Sequence, residues 1–203
     1  MEVKVFAVRV GDKYGEEYEH HLRSKIPQIQ FLNEEKEGFL RQWNKIHFFN
    51  LDYDEPIVVV DIDIDLVNNY EEIINYPIKR GEFLSMRAWW ENGECDLNGG
   101  FYKFYPRDTH YIYDEFKENK SYWEKAFLKV GIKNGPINGE ENFVAHMVKK
   151  RLKLKHIPDP WVCRMVKEPT KKWLAQINRK YPGDYAMLDM VNPNIKLLHY
   201  TML

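Results

Sequence analysis

Three aspartates stand at every second position behind an apolar run: Ile57-Val58-Val59-Val60 leads straight into Asp61-Ile62-Asp63-Ile64-Asp65. In an extended chain, side chains two apart share a face, so the three carboxylates project one way and Ile62 and Ile64 the other. Like charges grouped beside a buried strand are costly unless a cation compensates them. An oxygen-rich cluster of this kind suits Mg²⁺ or Mn²⁺, and such an ion bridges carboxylates to phosphates. Asp-x-Asp recurs by chance, so the motif draws its weight from its place behind four buried β-branched residues. The competing account is a solvated strand end with three surface acids.

The elements that must position these acids follow from pattern. Val3–Val10 is β-rich and ends at Gly11-Asp12. A polar stretch, Tyr14–Arg23, reads as a helix, and Ile29–Leu32 as a short strand. Glu37–Phe49 fits a helix on its mixed three- and four-residue spacing of Phe39, Leu40, Trp43, Ile46 and Phe48. The continuous apolar run Ile57–Val60, entered from Pro56, is typical of a strand buried on both faces. Further on, Tyr70–Ile74 reads as a short helix, and Phe83–Ala88 and Gly99–Phe104 as strands. Asp108–Val130 and Gly139–Arg151 read as helices, Lys155–Ile157 and Ile195–Tyr200 as strands, and the tail from Thr170 as mixed. Strands alternating with helices predict an α/β fold with a central mixed sheet flanked by helices. Ligands of open α/β sheets sit beyond the carboxyl ends of the strands, which points to the residues after Val10 and Val60.

Bulk properties narrow the function. The 203 residues suit a single domain, 1–203, and the formal net charge of −1 gives no global case for nucleic acid as a partner. The lysine cluster Lys149, Lys150, Arg151, Lys153 and Lys155 reads as a solvated helix face rather than a phosphate-steering patch. Cys95 and Cys163 have no zinc or CxxC spacing and read as buried free thiols. The charged first 25 residues show no secretory h-region, and no apolar run approaches the ~20 residues of a membrane helix. The expectation is a soluble, cytoplasmic protein without a membrane span.

The chain resembles the GT-A glycosyltransferases, in particular small retaining members related to glycogenin, and among these the glycosyltransferase domains encoded by large DNA viruses of algae that decorate the major capsid protein. A hydrophobic strand ending in Asp-x-Asp carries the likeness, with several shorter segments. The resemblance implies a GT-A, Rossmann-like fold, a UDP-sugar donor, a glycan or glycoprotein acceptor such as a capsid protein, and Mn²⁺ or Mg²⁺. Ala7-Val8-Arg9-Val10-Gly11-Asp12-Lys13-Tyr14 resembles the uridine-binding segment, so Val8, Val10 and Tyr14 inherit that role, with Tyr14 stacking on the base; Arg9 is an addition that could face a phosphate. Within Arg41-Gln42-Trp43-Asn44-Lys45, Lys45 matches the cationic residue that approaches the donor, with Arg41 second. A short acidic-apolar-apolar helix about ten residues past the second aspartate favours the register Asp61/Asp63 over Asp63/Asp65, because Glu72-Ile73-Ile74 fits from Asp63. Asp63 then binds metal directly, and Asp61 bridges metal and ribose.

Three later segments complete the resemblance. Leu97-Asn98-Gly99-Gly100-Phe101 is similar to the segment under the donor sugar, which places Asn98 and Gly99 there. Asn138-Gly139-Glu140-Glu141 resembles a Gly-Asp-Gln segment at a helix start: Glu140 takes the acid that contacts the sugar, and Glu141 the Gln near the reacting carbon. Ile195-Lys196-Leu197-Leu198-His199-Tyr200 resembles the closing strand whose histidine is the third metal ligand. The implied chemistry is transfer with retention, with Glu141 the first candidate for a nucleophile and the acceptor entering past Trp89, Trp90 and the 133–137 loop. Two rival readings remain: a phosphohydrolase of the haloacid dehalogenase type with Asp61 as nucleophile and Asp63 as acid/base, and a carbohydrate-binding module that uses the tryptophans and needs no metal.

Overall fold

The computed structural model describes residues 3–88, 95–129, 139–166 and 193–201. The run Ile57–Val60 forms strand β3, in the interior of a six-stranded mixed sheet. Its neighbours are β1 (Lys4–Val8), paired parallel, and β6 (Leu97–Phe104), paired antiparallel. The sheet runs β2-β1-β3-β6-β5-β7, with β2 (Gln30–Leu32), β5 (Glu82–Arg87) and β7 (Lys153–His156) completing it.

Alternation along β3 divides the core. Val58 and Val60 pack with Val5, Ala7, Leu84 and Phe101 on one face, beneath helices α1 (Glu16–Lys25) and α2 (Glu71–Ile74). Ile57 and Val59 pack with Phe6, Tyr102 and Phe104 on the other, against helices α3 (His110–Lys129) and α4 (Gly139–Arg151). All four residues of β3 are buried, as an apolar run covered on both sides requires.

The region Glu37–Phe49, expected to be α-helical, is a 3₁₀ run over Arg41–Asn50. Glu37, Gly38 and Arg41 all have positive φ and break any α-helical entry. Asn44 explains part of the rest: its Nδ2 donates to the carbonyls of Phe39 and Arg41, and its Oδ1 accepts from the Lys36 amide. Such side-chain bonds compete with the helical ladder. Trp43, Ile46 and Phe49 are buried at a strict three-residue spacing, the period at which 3₁₀ side chains align.

The extended reading of Asp61–Asp65 also needs correction. The chain turns at Ile62-Asp63 and starts a separate strand, β4 (Ile64–Leu66). With β8 (Val162–Val166) and β9 (Leu197–Thr201), β4 forms a second sheet in the order β4-β9-β8. Neither β4 nor β8 is legible as a strand from pattern, because three residues of β4 are too few to show a period. The helix expected over Asp108–Val130 is α3, which is entered from a 3₁₀ turn at Pro106–Asp108 and kinks at Asn119. The tail from Thr170 to residue 192 lies outside the described residues.

Candidate active site

The site stands where the two sheets meet. The Asp61 amide donates to the Gly100 carbonyl at 3.1 Å, so Asp61 is anchored across from β6 just past the end of β3. Ile62, 4% exposed, drops into the core and draws the chain round. Asp63 follows at the turn, and Ile64 enters β4 opposite His199 of β9. Three distant parts of the sequence are brought together in this way. His199 Nε2 lies 3.8 Å from Asp61 Oδ2 and 3.6 Å from Asp63 Oδ1. One ligand atom from each of these residues lies within 4.8 Å of the others.

Asp65 is apart from this group: it sits on β4 and meets His21 of α1 at 2.8 Å. The turn thus keeps Asp61 and Asp63 together and directs the third acid to the helix side.

Lys45 lies behind the aspartates and is buried in the 3₁₀ run. Its Nζ sits 2.8 Å from Asp61 Oδ1 and 3.3 Å from Glu140 Oε2, and donates to the Gly99 carbonyl at 3.1 Å. Burial alone would lower this ammonium; Asp61 and Glu140 outweigh it and hold Lys45 above the ordinary lysine value. Its charge is therefore already engaged by protein. Arg41 is exposed at the start of the run.

Glu140 and Glu141 occupy the first turn of α4, where acids suit the helix dipole. Glu140 is buried, which raises its carboxyl above the usual range, and it accepts from the Tyr102 hydroxyl at 3.2 Å. Glu141 Oε2 accepts the Gly99 amide at 2.8 Å, and burial pushes its carboxyl up to about 7.

The glycines of β6 make the approach possible. A Cβ on Gly99 would lie 2.9 Å from Lys45 Nζ and 3.0 Å from Glu141 Cγ. One on Gly100 would lie 2.5 Å from Met86 Cε and 3.2 Å from His199 Cδ2. Asn98 is buried beside them and accepts the Gly100 amide at 2.8 Å, so its carbonyl oxygen serves the strand itself.

The β1 turn borders the site. Val8 ends β1, and Arg9 and Val10 follow before Gly11 turns the chain at φ 85°. Arg9 Nε donates to Glu19 Oε2 at 3.0 Å, which commits it to α1 rather than leaving it as a lone cation. The Tyr14 hydroxyl donates to Asp63 Oδ2 at 2.5 Å. Burial, followed by the Asp63 charge, holds that phenol far above the ordinary tyrosine value. Burial would raise Asp63, but His199 and Tyr14 outweigh it and keep the carboxylate below its usual range.

Tyr102 escaped the sequence reading. A tyrosine hydroxyl inside an aromatic core strand requires a buried partner, and here the partner is Glu140. Asn138, Trp89, Trp90 and the 133–137 loop lie outside the described residues.

Structures of similar shape are glycosyltransferases. The glycosyltransferase GlyE of Streptococcus pneumoniae TIGR4 superposes with a TM-score of 0.61 at 9% identity, covering 100% of this chain and 55% of GlyE. The galactosyltransferase LgtC, in complex with donor and acceptor sugar analogues, gives 0.57 at 10% identity over 97% of this chain and 87% of LgtC. Mouse xyloside xylosyltransferase 1 gives 0.51 at 8% identity over 98% and 97%. The fold is that of the GT-A glycosyltransferases. This chain spans about half the length of GlyE. No family model matches its sequence, and no curated protein does. These bacterial and mammalian neighbours do not bear on the viral likeness. No helix among the described residues is long and apolar enough to cross a membrane.

The donor set at the site's centre can be tested against a metal by its chemistry. Two carboxylates and an imidazole on one small locus fit Mn²⁺ or Mg²⁺, with the imidazole favouring the former.

Proposed function

We propose that the chain is one catalytic domain that moves a sugar from a UDP-sugar donor to a glycan or protein acceptor with retention, using Mn²⁺ or Mg²⁺ held by Asp61, Asp63 and His199. The observation that carries this reading is the meeting of those three residues at the carboxyl end of the buried strand β3, in a GT-A fold. When bound, the cation would neutralise the charge that grows on a departing diphosphate.

The chain's own groups divide the remaining work. Lys45 spaces Asp61 from Glu140 and keeps both carboxylates in place, while Gly99 and Gly100 let Lys45, Glu141, Met86 and His199 close against β6. Glu141 is the candidate nucleophile, with its carboxylate oriented by the Gly99 amide and titrating where both charge states are populated near neutrality. Val8, Val10 and Tyr14 border the base site, and Asn98 fixes the strand beneath the sugar. The resemblance alone supplies the narrower acceptor, a viral capsid protein.

A thermal-shift panel of UDP and UDP-sugars with and without Mn²⁺ tests the reading. A ligand at 100 times its Kd stabilises by about 2.7 kcal/mol, which is a shift of roughly 5–11 °C for a chain of this size. The shift should require Mn²⁺ and vanish in Asp63→Ala. A protein indifferent to every UDP compound with Mn²⁺ present, or an Asp63→Ala variant that shifts like wild type, refutes the assignment.

A further inference from the structure

Asp61 and Asp63 are held by the same plan. Each turns one oxygen toward His199 Nε2, Oδ2 of Asp61 at 3.8 Å and Oδ1 of Asp63 at 3.6 Å. Each has its other oxygen tied to a side chain from a distant element. Lys45 takes Asp61 Oδ1 at 2.8 Å, and the Tyr14 hydroxyl takes Asp63 Oδ2 at 2.5 Å.

The Tyr14 end of this tie is itself fixed. Its ring meets the Tyr18 ring edge-on at a centroid distance of 5.0 Å, and the Lys13 ammonium lies 4.6 Å from its centroid. The bond therefore links the turn after β1 to the turn between the two sheets. A short hydrogen bond to a carboxylate is among the stronger kinds, and it sets the rotation of the group it meets. A residue that only stacked on a base would need no hydroxyl, since phenylalanine presents the same face.

We propose that Tyr14 is a positioning residue for the cation: its hydroxyl fixes Asp63 Oδ2 so that Oδ1 stays directed at His199. This rests on the metal-dependent reading above. Hydrogen-bond partners behind metal-ligating carboxylates are typically worth about 10–100-fold in metal affinity. The Tyr14 hydroxyl supplies that partner for Asp63, as Lys45 does for Asp61. The role is separate from base stacking, because it uses the oxygen and not the ring.

The test titrates Mn²⁺ alone into wild type, Tyr14→Phe and Tyr14→Leu, with free Mn²⁺ read by its electron paramagnetic resonance signal. Uridine contact without metal is read in parallel by saturation-transfer NMR. Tyr14→Phe keeps the ring and its packing, and a melting temperature close to wild type confirms the fold. The expected result is Mn²⁺ affinity weakened about tenfold or more in both variants, with uridine contact kept in Tyr14→Phe. A wild type that takes no Mn²⁺ overturns the metal reading and this inference with it. A wild type that binds Mn²⁺ and a Tyr14→Phe variant that binds it equally well overturn this inference alone. So does a Tyr14→Leu variant that loses uridine yet keeps Mn²⁺.

Discussion

Replacing Lys45 with methionine should destabilise the protein strongly, and the size of the loss can be worked from its contacts. The ammonium is 3% exposed and faces two carboxylates and the Gly99 carbonyl. Asp61 is 29% exposed, so solvent can take over much of its charge, whereas Glu140 is 1% exposed and would be stranded. Breaking a buried pair by removing one partner costs about 3–5 kcal/mol. For a chain of this size that is a fall in melting temperature of roughly 6–20 °C. The deficit should depend on pH. Burial already raises Glu140, and without Lys45 nothing comparable pulls it down. A carboxyl raised in the folded state costs stability only above its unfolded value, near 4.5, so the deficit should be small near pH 5 and grow toward pH 7.5. Adding Glu140→Gln should recover most of the loss, because the stranded charge is gone. The assay is urea unfolding followed by tryptophan fluorescence at both pH values, for wild type, both single variants and the double. A Lys45→Met protein within about 1 kcal/mol of wild type at pH 7.5, with no gain from Glu140→Gln, would refute the idea that Lys45 neutralises a buried acid.

Two further outcomes follow from the same cluster. Glu141 titrates near 7 in the folded chain, so its ionisation cost begins above about pH 4.5 and is complete above about 7; Glu141→Gln should therefore melt higher than wild type at pH 8 and alike near pH 5, checked by parallel melts. Gly99→Ala would place a methyl 2.9 Å from Lys45 Nζ, and should cost about 1–3 kcal/mol in urea unfolding by displacing that ammonium.

Much of this arrangement was legible in the sequence because single residues carried it. Four β-branched residues identify β3 as an inner strand, and the acids directly after it stand at its carboxyl end, where ligands of open α/β sheets bind. His199 could be singled out only through resemblance, since a histidine in an apolar strand carries no periodic signal; its pairing with Ile64 supplies the geometric reason. The 3₁₀ run was misread because Trp43 and Ile46 fit both the three-residue and the mixed helical spacing, and the deciding feature is Asn44, whose bonds to neighbouring backbone no pattern shows. The second sheet was missed because β4 is three residues long and its partner, β9, comes from the far end of the chain. Lys45 illustrates the same limit. The resemblance implied a cation that approaches the donor, and its contacts, which no pattern shows, run inward to Asp61 and Glu140.

The charge balance of the site joins these observations. Among the described residues, Asp61, Asp63, Glu140 and Glu141 converge with Lys45 as the buried ammonium and His199 at the rim. The fold lessens the repulsion in three ways. Lys45 sits between Asp61 and Glu140, Glu141 holds its proton to about pH 7, and Tyr14 donates to Asp63. Lys45 offsets only one of the charges on Asp61, Asp63 and Glu140, and the oxygens of Asp61 and Asp63 that face His199 carry part of what is left. The negative surplus is therefore concentrated where a divalent ion would sit, and the same surplus repels a diphosphate that arrives first. On the proposed reading, metal and anionic donor would stabilise each other's binding. The metal-free arm of the UDP panel reads that dependence directly, because a donor that bound there as well as with Mn²⁺ would have to find its counter-charge somewhere other than the Asp61–Asp63–His199 cluster.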